Sequence, residues 1–117
     1  MTLTDPDPAE FLDAQRAQTL ARISALTRDF DAIVAACADS ATDDEHDPEG
    51  STIAFERAQV SALLAAARAH LAEIDRAAER LGDGTYGLCE RCGRSIAPER
   101  LLARPTAQRC VACASAR

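Results

Sequence analysis

Residues 89–113 read CERCGRSIAPERLLARPTAQRCVAC, and the four cysteines in them decide the fold. Cys89, Cys92, Cys110 and Cys113 form a C-x2-C-x17-C-x2-C pattern, two metal knuckles separated by a loop of structural-zinc length. Zn²⁺ prefers a tetrahedron of soft ligands, and four thiolates close its shell with no position left for a reactive water. Such a centre builds structure and does not hydrolyse anything. Gly93 follows Cys92, where a chain folding back over a metal needs positive φ. The competing reading is a pair of disulfides, but two x2 pairs are poor disulfide partners and export signals are missing. One structural zinc is the expectation.

Outward from the cysteines, the flanking composition sets limits. Met1–Glu10 (MTLTDPDPAE) has no basic residue, no apolar core and two prolines, so neither a signal nor a transit peptide is expected. No apolar run is long enough for a membrane span. The expectation is a soluble protein in the reducing cytoplasm, where thiols stay available to metal. Aromatic residues make up 3% of the 117 and Trp is absent, so stability must come from helix contacts and the metal rather than a large core. All thirteen basic residues are arginine, read first as a coding bias. Net charge is −6 and unevenly spread: residues 1–80 carry sixteen acids and seven arginines (−9), residues 81–117 three acids and six arginines (+3). An acidic body opposes general nucleic-acid binding, whose affinity comes from neutralising phosphates. A basic protein surface suits it better.

The remainder predicts a mainly α chain: a long antiparallel coiled-coil hairpin (1–81) followed by a small four-cysteine zinc-finger domain (82–117). Asp7, Pro8 and Glu10 mark a helix start, with a capping side chain, proline in the first turn and a capping-box acid. Leu12, Ile23, Leu26, Phe30, Ile33 and Cys37 then recur in heptad register to about Asp39, with Arg16 and Thr19 as early breaks. Roughly thirty residues would make about 45 Å of helix at 1.5 Å per residue. Pro48 and Gly50 read as helix breakers in the segment 40–51, where Asp43, Asp44, Glu45, Asp47 and Glu49 crowd together. From Thr52 to Leu81 a second seam runs through Ile53, Val60, Leu64, Ala67, Leu71, Ile74, Ala78 and Leu81, and Gly82 and Gly84 are expected to stop it. A short connection forces the two helices antiparallel and makes 40–51 an acidic tip. His70 beside the seam and His46 in the tip read as ordinary surface histidines, and Cys37 as a buried seam residue. Pro98 should open a short helix that Pro105 ends. Tyr86, Leu88, Ile96, Leu101, Leu102 and Val111 are the apolar residues available to pack around the metal.

Tyr86–Cys113 (YGLCERCGRSIAPERLLARPTAQRCVAC) resembles the zinc finger of the DksA/TraR family of bacterial transcription regulators. Shared features include Tyr86-Gly87, Cys92-Gly93, Ile96, Arg100-Leu101 and Ala103-Arg104-Pro105. The preceding hairpin with its acidic tip extends the likeness over nearly the whole chain. The resemblance implies direct binding to RNA polymerase: the hairpin enters the secondary channel, its tip reaches toward the active centre, and the finger with adjoining helix ends holds the rim. It also implies modulation of initiation without sequence-specific DNA binding. The best-studied members carry an acidic D-x-x-D-x-A tip. Here Asp44 to Asp47 gives D-x-x-D followed by Pro48-Glu49, whereas a gap-free count from Cys89 puts Glu49 and Ser51 at the second Asp and the Ala. The family's basic ppGpp-binding positions fall by the same count on Ala66, Glu73 and Ala114, none of them cationic, and phosphate recognition needs Arg or Lys.

Three function classes follow. The first is a regulator acting on RNA polymerase, with Asp44, Asp47 and Glu49 as contacts. The second is a zinc-finger adaptor for nucleic acid or another protein, with the hairpin as spacer. The third, an enzyme, has no visible nucleophile–base motif and no open metal position.

Overall fold

The computed structural model describes residues 7–39 and 48–116, with side chains described for 7–36 and 51–116. Four helices follow in order: α1 (Pro8–Asp39), α2 (Pro48–Asp83), α3 (Pro98–Ala103) and α4 (Val111–Ser115). The expected mainly α chain with a helical hairpin and a four-cysteine finger is what forms. Among the described residues, β pairing is limited to one antiparallel bridge, Leu88–Ser95.

The first helix begins where its start signals place it. The Asp7 carboxylate accepts a hydrogen bond from the Ala9 amide at 3.1 Å, and the Asp7 carbonyl accepts the first intrahelical bond, from Phe11, at 3.0 Å. Pro8 at the first helical position loses nothing, because its missing N–H would have had no intrahelical partner.

That rule corrects the reading of the second helix start. α2 begins at Pro48, four residues before the expected Thr52. Proline at a first turn starts a helix instead of breaking one, and Gly50 is tolerated inside that turn. Of the expected tip acids, Asp43, Asp44, Glu45 and Asp47 lie outside the described residues, as does His46, while Glu49 falls in the first turn of α2. The side chain of Cys37 is also outside them. At the other end α2 runs through Gly82 to Asp83, so Gly82 is not the stop. Gly84 is: it takes φ +81°, and the Arg80 carbonyl accepts the amides of Thr85 at 2.9 Å and Tyr86 at 3.1 Å. Only glycine enters that conformation without strain, so the chain turns off the helix there.

The chain forms two compact units, Gln18–His70 and Met1–Ala17 with Leu71–Arg117. The boundary expected at 81/82 falls inside the second of these. In Gln18–His70 the seam is thin: Leu26, Leu64 and Ala67 are buried, with Ile23 and Val60 packed against them. Thr19 is buried as well, at a seam position where a polar side chain reads as a break. Among the described residues, Phe55 is the most exposed large apolar side chain at 71%.

In the other unit, Leu12, Ile74 and Ala77 form a buried cluster, with Leu81 and Tyr86 against it. Arg16 Nε pairs with Asp75 Oδ1 at 2.9 Å on the surface beside it. Ala77, not the expected Ala78, fills the seam; Ala78 is exposed. Ala77 and Ala78 lie three and four residues beyond Ile74, so either can share its face of the helix, and the packing around Leu12, Leu81 and Tyr86 covers Ala77.

Candidate metal centre

Two knuckles of different construction bring the cysteines together. In the first, the Gly93 amide donates to the Cys89 carbonyl at 2.9 Å and the Cys89 amide to the Arg94 carbonyl at 2.7 Å. Gly93 takes φ +75°, a value that strains any residue with a Cβ, so the turn back over the metal position depends on it. The Leu88–Ser95 bridge and an Ile96 amide bond to the Gly87 carbonyl at 2.7 Å close the strand-like base. The second knuckle is a helix start: Cys110 precedes α4, and its carbonyl accepts the Ala114 amide at 2.9 Å. The knuckles are joined by the Glu90 amide, which donates to the Gln108 carbonyl at 2.8 Å.

The result is four sulfur atoms, from Cys89, Cys92, Cys110 and Cys113, all within 4.8 Å of one another. Cys92 and Cys110 Sγ are 3.8 Å apart. Corners of a tetrahedron with Zn–S bonds of about 2.3 Å are separated by about 3.8 Å, whereas a disulfide needs about 2.05 Å. All four are free thiols, so the paired-disulfide alternative is excluded for them. The donor set fits one structural Zn²⁺ held by these cysteines, and zinc contributes a charge centre that binds all four as thiolates.

The electrostatics show what the protein supplies on its own. Backbone amides of Cys92 and Cys110 pull the Cys89 thiol down to about 6, against the opposing effect of burial. The Cys113 amide similarly lowers Cys110. Cys113 is pushed up to about 12, chiefly by its hydrogen bond to the Cys110 sulfur and by burial. Thiolates this close repel, so the last proton is retained until a cation replaces it.

The finger is also strapped to the helix end that carries it, by contacts that no motif announces. Tyr86 donates its phenol to the Pro105 carbonyl at 2.8 Å. Burial raises its pKa, an effect partly offset by the neighbouring Arg80 cation. Arg80 Nη2 donates to the Ala107 carbonyl at 3.3 Å, and Thr106 Oγ1 to Glu73 Oε2 at 3.5 Å. With the Gln108 amide oriented to satisfy both neighbours, its nitrogen donates to Glu90 Oε2 and its oxygen accepts from Arg76 Nε, each at 3.2 Å. Arg109 Nε completes the set by pairing with Glu90 Oε1 at 3.0 Å.

Of the apolar residues expected around the metal, Ile96 is buried and Tyr86 and Leu101 are half-buried, but Leu88, Leu102 and Val111 are exposed. Ala107 is buried in their place, and a small residue in a loop gives no such signal in the sequence. α3 starts at Pro98 as expected and ends one residue before the Arg104 cap, whose amide bonds the Arg100 carbonyl at 2.7 Å. Glu73 and Ala114 line one polar cleft of about 410 Å³ together with Arg76, Arg100, Arg104 and Arg109. Among the described residues, no helix is long and apolar enough to cross a membrane.

Comparison with known proteins converges on one group. Residues 84–117 match the family model of the prokaryotic dksA/traR C4-type zinc finger. General stress protein 16O of Bacillus subtilis is 37% identical over 65 residues, covering 56% of this chain and 40% of that protein. The RNA polymerase-binding transcription factor DksA of Caulobacter vibrioides is 51% identical over 37 residues, covering 32% of this chain and 26% of that protein. These matches therefore span less than half the length of either relative. Similarity over most of the chain comes from the structure of transcription factor DksA2 from Pseudomonas aeruginosa. It superposes with a TM-score of 0.56 at 27% identity, covering 94% of this chain and 82% of that one.

Proposed function

We propose that the chain is a transcription regulator of the DksA/TraR kind that binds RNA polymerase directly and modulates initiation. The observation that carries the reading is the joint match of finger and hairpin. The finger fits the family model, and the fold of a DksA2 transcription factor extends over 94% of the chain. A relative with half-identical finger residues is named for polymerase binding.

In this proposal the hairpin enters the secondary channel and residues 40–51 act at its end. Asp43, Asp44, Glu45, Asp47 and Glu49 place concentrated negative charge there, suited to basic loops or to the surroundings of catalytic Mg²⁺, a hard cation that favours carboxylate oxygens. The residues up to 81 then form the inserting part and residues 82–117 the part that holds the entrance. The protein performs no chemistry of its own, because the closed tetrathiolate leaves its metal no open position. The proposal assigns no role to ppGpp, since Ala66, Glu73 and Ala114 supply no cation to its phosphates. Cytoplasmic location and the absence of sequence-specific DNA binding belong to the same proposal.

The test is a triple substitution, Asp44, Asp47 and Glu49 to Ala, assayed by transcription with the host polymerase. The variant should keep its helix content, its zinc and its binding to polymerase while losing the effect on initiation. Normal regulation by a folded variant would defeat the tip assignment.

A further inference from the structure

The described arginines around the finger differ in what their side chains engage. Arg76, Arg80, Arg100 and Arg109 are engaged as stitching within the unit: Arg100 Nε donates to the Arg109 carbonyl at 2.9 Å, and the others bind Gln108, the Ala107 carbonyl and Glu90. Arg91 and Arg94 are exposed, and neither makes an ion pair or side-chain hydrogen bond with another described residue. The acid nearest to them in sequence, Glu90, is already engaged by Arg109 and Gln108. Arg104 also lacks such a partner, but it lines the polar cleft.

We propose that Arg91 and Arg94 form a docking contact for an acidic protein surface, and that on the reading given above this surface belongs to RNA polymerase. The two residues bracket Gly93 on the first knuckle, where bonds of 2.9 and 2.7 Å fix the backbone between Cys89 and Arg94. Their guanidinium groups therefore extend from a rigid base, which limits the conformational entropy lost on binding. Guanidinium is weakly hydrated and its planar fork matches a carboxylate bidentately, so it suits interface ion pairs better than an ammonium would.

Charge distribution decides between an acidic protein and nucleic acid. A long polyanion would meet the −9 of residues 1–80 as well as these two cations. A local cluster of carboxylates meets only the knuckle, and two arginines are enough to complement it. The experiment separates docking from a role of the pair as counter-charge to a doubly negative zinc tetrathiolate.

The experiment measures affinity of the full-length, zinc-loaded protein for host core RNA polymerase at two salt concentrations, with zinc content read in parallel. The proteins compared are the wild type, R91E/R94E and the neutral R91Q/R94Q. The proposal expects R91E/R94E to bind about tenfold or more weakly with a flatter salt dependence, R91Q/R94Q to fall between, and all three to hold one zinc. Unchanged affinity in R91E/R94E overturns it. So does loss of zinc together with binding in R91Q/R94Q, which would assign the pair to the metal, or salt-dependent binding of wild type to DNA without polymerase that the substitutions abolish. Failure of the wild type itself to bind polymerase at micromolar concentration would overturn the functional reading, and this contact with it.

Discussion

In the finger-bearing unit Leu12, Ile74 and Ala77 are 2%, 1% and 0% exposed, whereas in Gln18–His70 the best-buried apolar residues, Leu26, Leu64 and Ala67, are 8%, 8% and 6% exposed. The same two helices contribute to both units, so the difference lies in what covers the seam. Beside Leu12 and Ile74 the seam gains Leu81 and Tyr86 and the loop that Tyr86, Arg80 and Glu73 hold. Among the described residues of Gln18–His70, Ile23 and Val60 are what packs against Leu26, Leu64 and Ala67, and a two-helix contact buries few large side chains. Zinc bound by the four cysteines would add to the stability of the finger-bearing unit alone, since structural sites of this kind contribute an apparent ~10–16 kcal/mol to folding in finger peptides.

The largest expected effect breaks the contrast outright. Cys110→Ser should remove the fourth thiolate, take the zinc content from one per chain to none, and unfold the finger, as read by metal analysis and thermal melting. Far-ultraviolet circular dichroism should keep much of its helical signal, because α1 and α2 account for 32 and 36 residues.

Next come the seams. Ile74→Ala should cost about 2–5 kcal/mol in the zinc-loaded protein, because the cavity it leaves cannot collapse under the finger. Leu26→Ala should fall at the low end of that range, since its site already touches solvent. Chemical denaturation of the two variants side by side measures the difference, and equal losses would show that the finger adds nothing to the seam.

Proton release gives a subtler comparison between folded and unfolded metal-free fingers. Cys89 has its thiol lowered from 9.0 to about 6, so its thiolate supports the folded finger fully above pH 9, and that support is lost as pH falls through about 6. At pH 7 Cys89 is therefore already largely ionised in a folded metal-free finger, while Cys113, pushed up to about 12, still holds its proton. Zinc uptake should release fewer than four protons per ion if the metal-free finger keeps its fold, and close to four if it unfolds. Calorimetry in buffers of different ionisation enthalpy counts them.

The smallest effect concerns a strap. Tyr86→Phe removes the bond to the Pro105 carbonyl and should cost about 1 kcal/mol. The phenol's pKa is raised above 10.0, so the neutral, donating form contributes stability in full below pH 10 and loses it as pH rises through the folded value. Melting curves of wild type and variant should converge at strongly alkaline pH.

What was legible in the sequence follows the range of the forces involved. Cysteine spacing and the Asp7-Pro8 start are local signals, and both appear in the structure as read. The misreadings are of two kinds. Pro48 reads as a helix breaker but stands at a helix start, because the same residue stops a helix from inside and opens one at its first turn. Ala77 and Ala107 are buried because of what packs over them, and alanine has no side-chain character that marks such positions in advance. Thr19 shows the converse: a polar residue that reads as a seam break is buried in the seam. The strapping contacts from Glu73, Arg80 and Tyr86 join residues 19 to 33 positions apart, and nothing in their local sequence reports the pairing.

The central claim is that the finger and hairpin together form a polymerase-binding regulator. Its most direct test is binding of the zinc-loaded protein to purified core RNA polymerase from its own host, with and without a competing secondary-channel factor. Saturable binding that the competitor displaces is the predicted result. Absence of binding at micromolar concentration, or binding that the competitor leaves untouched, would contradict it.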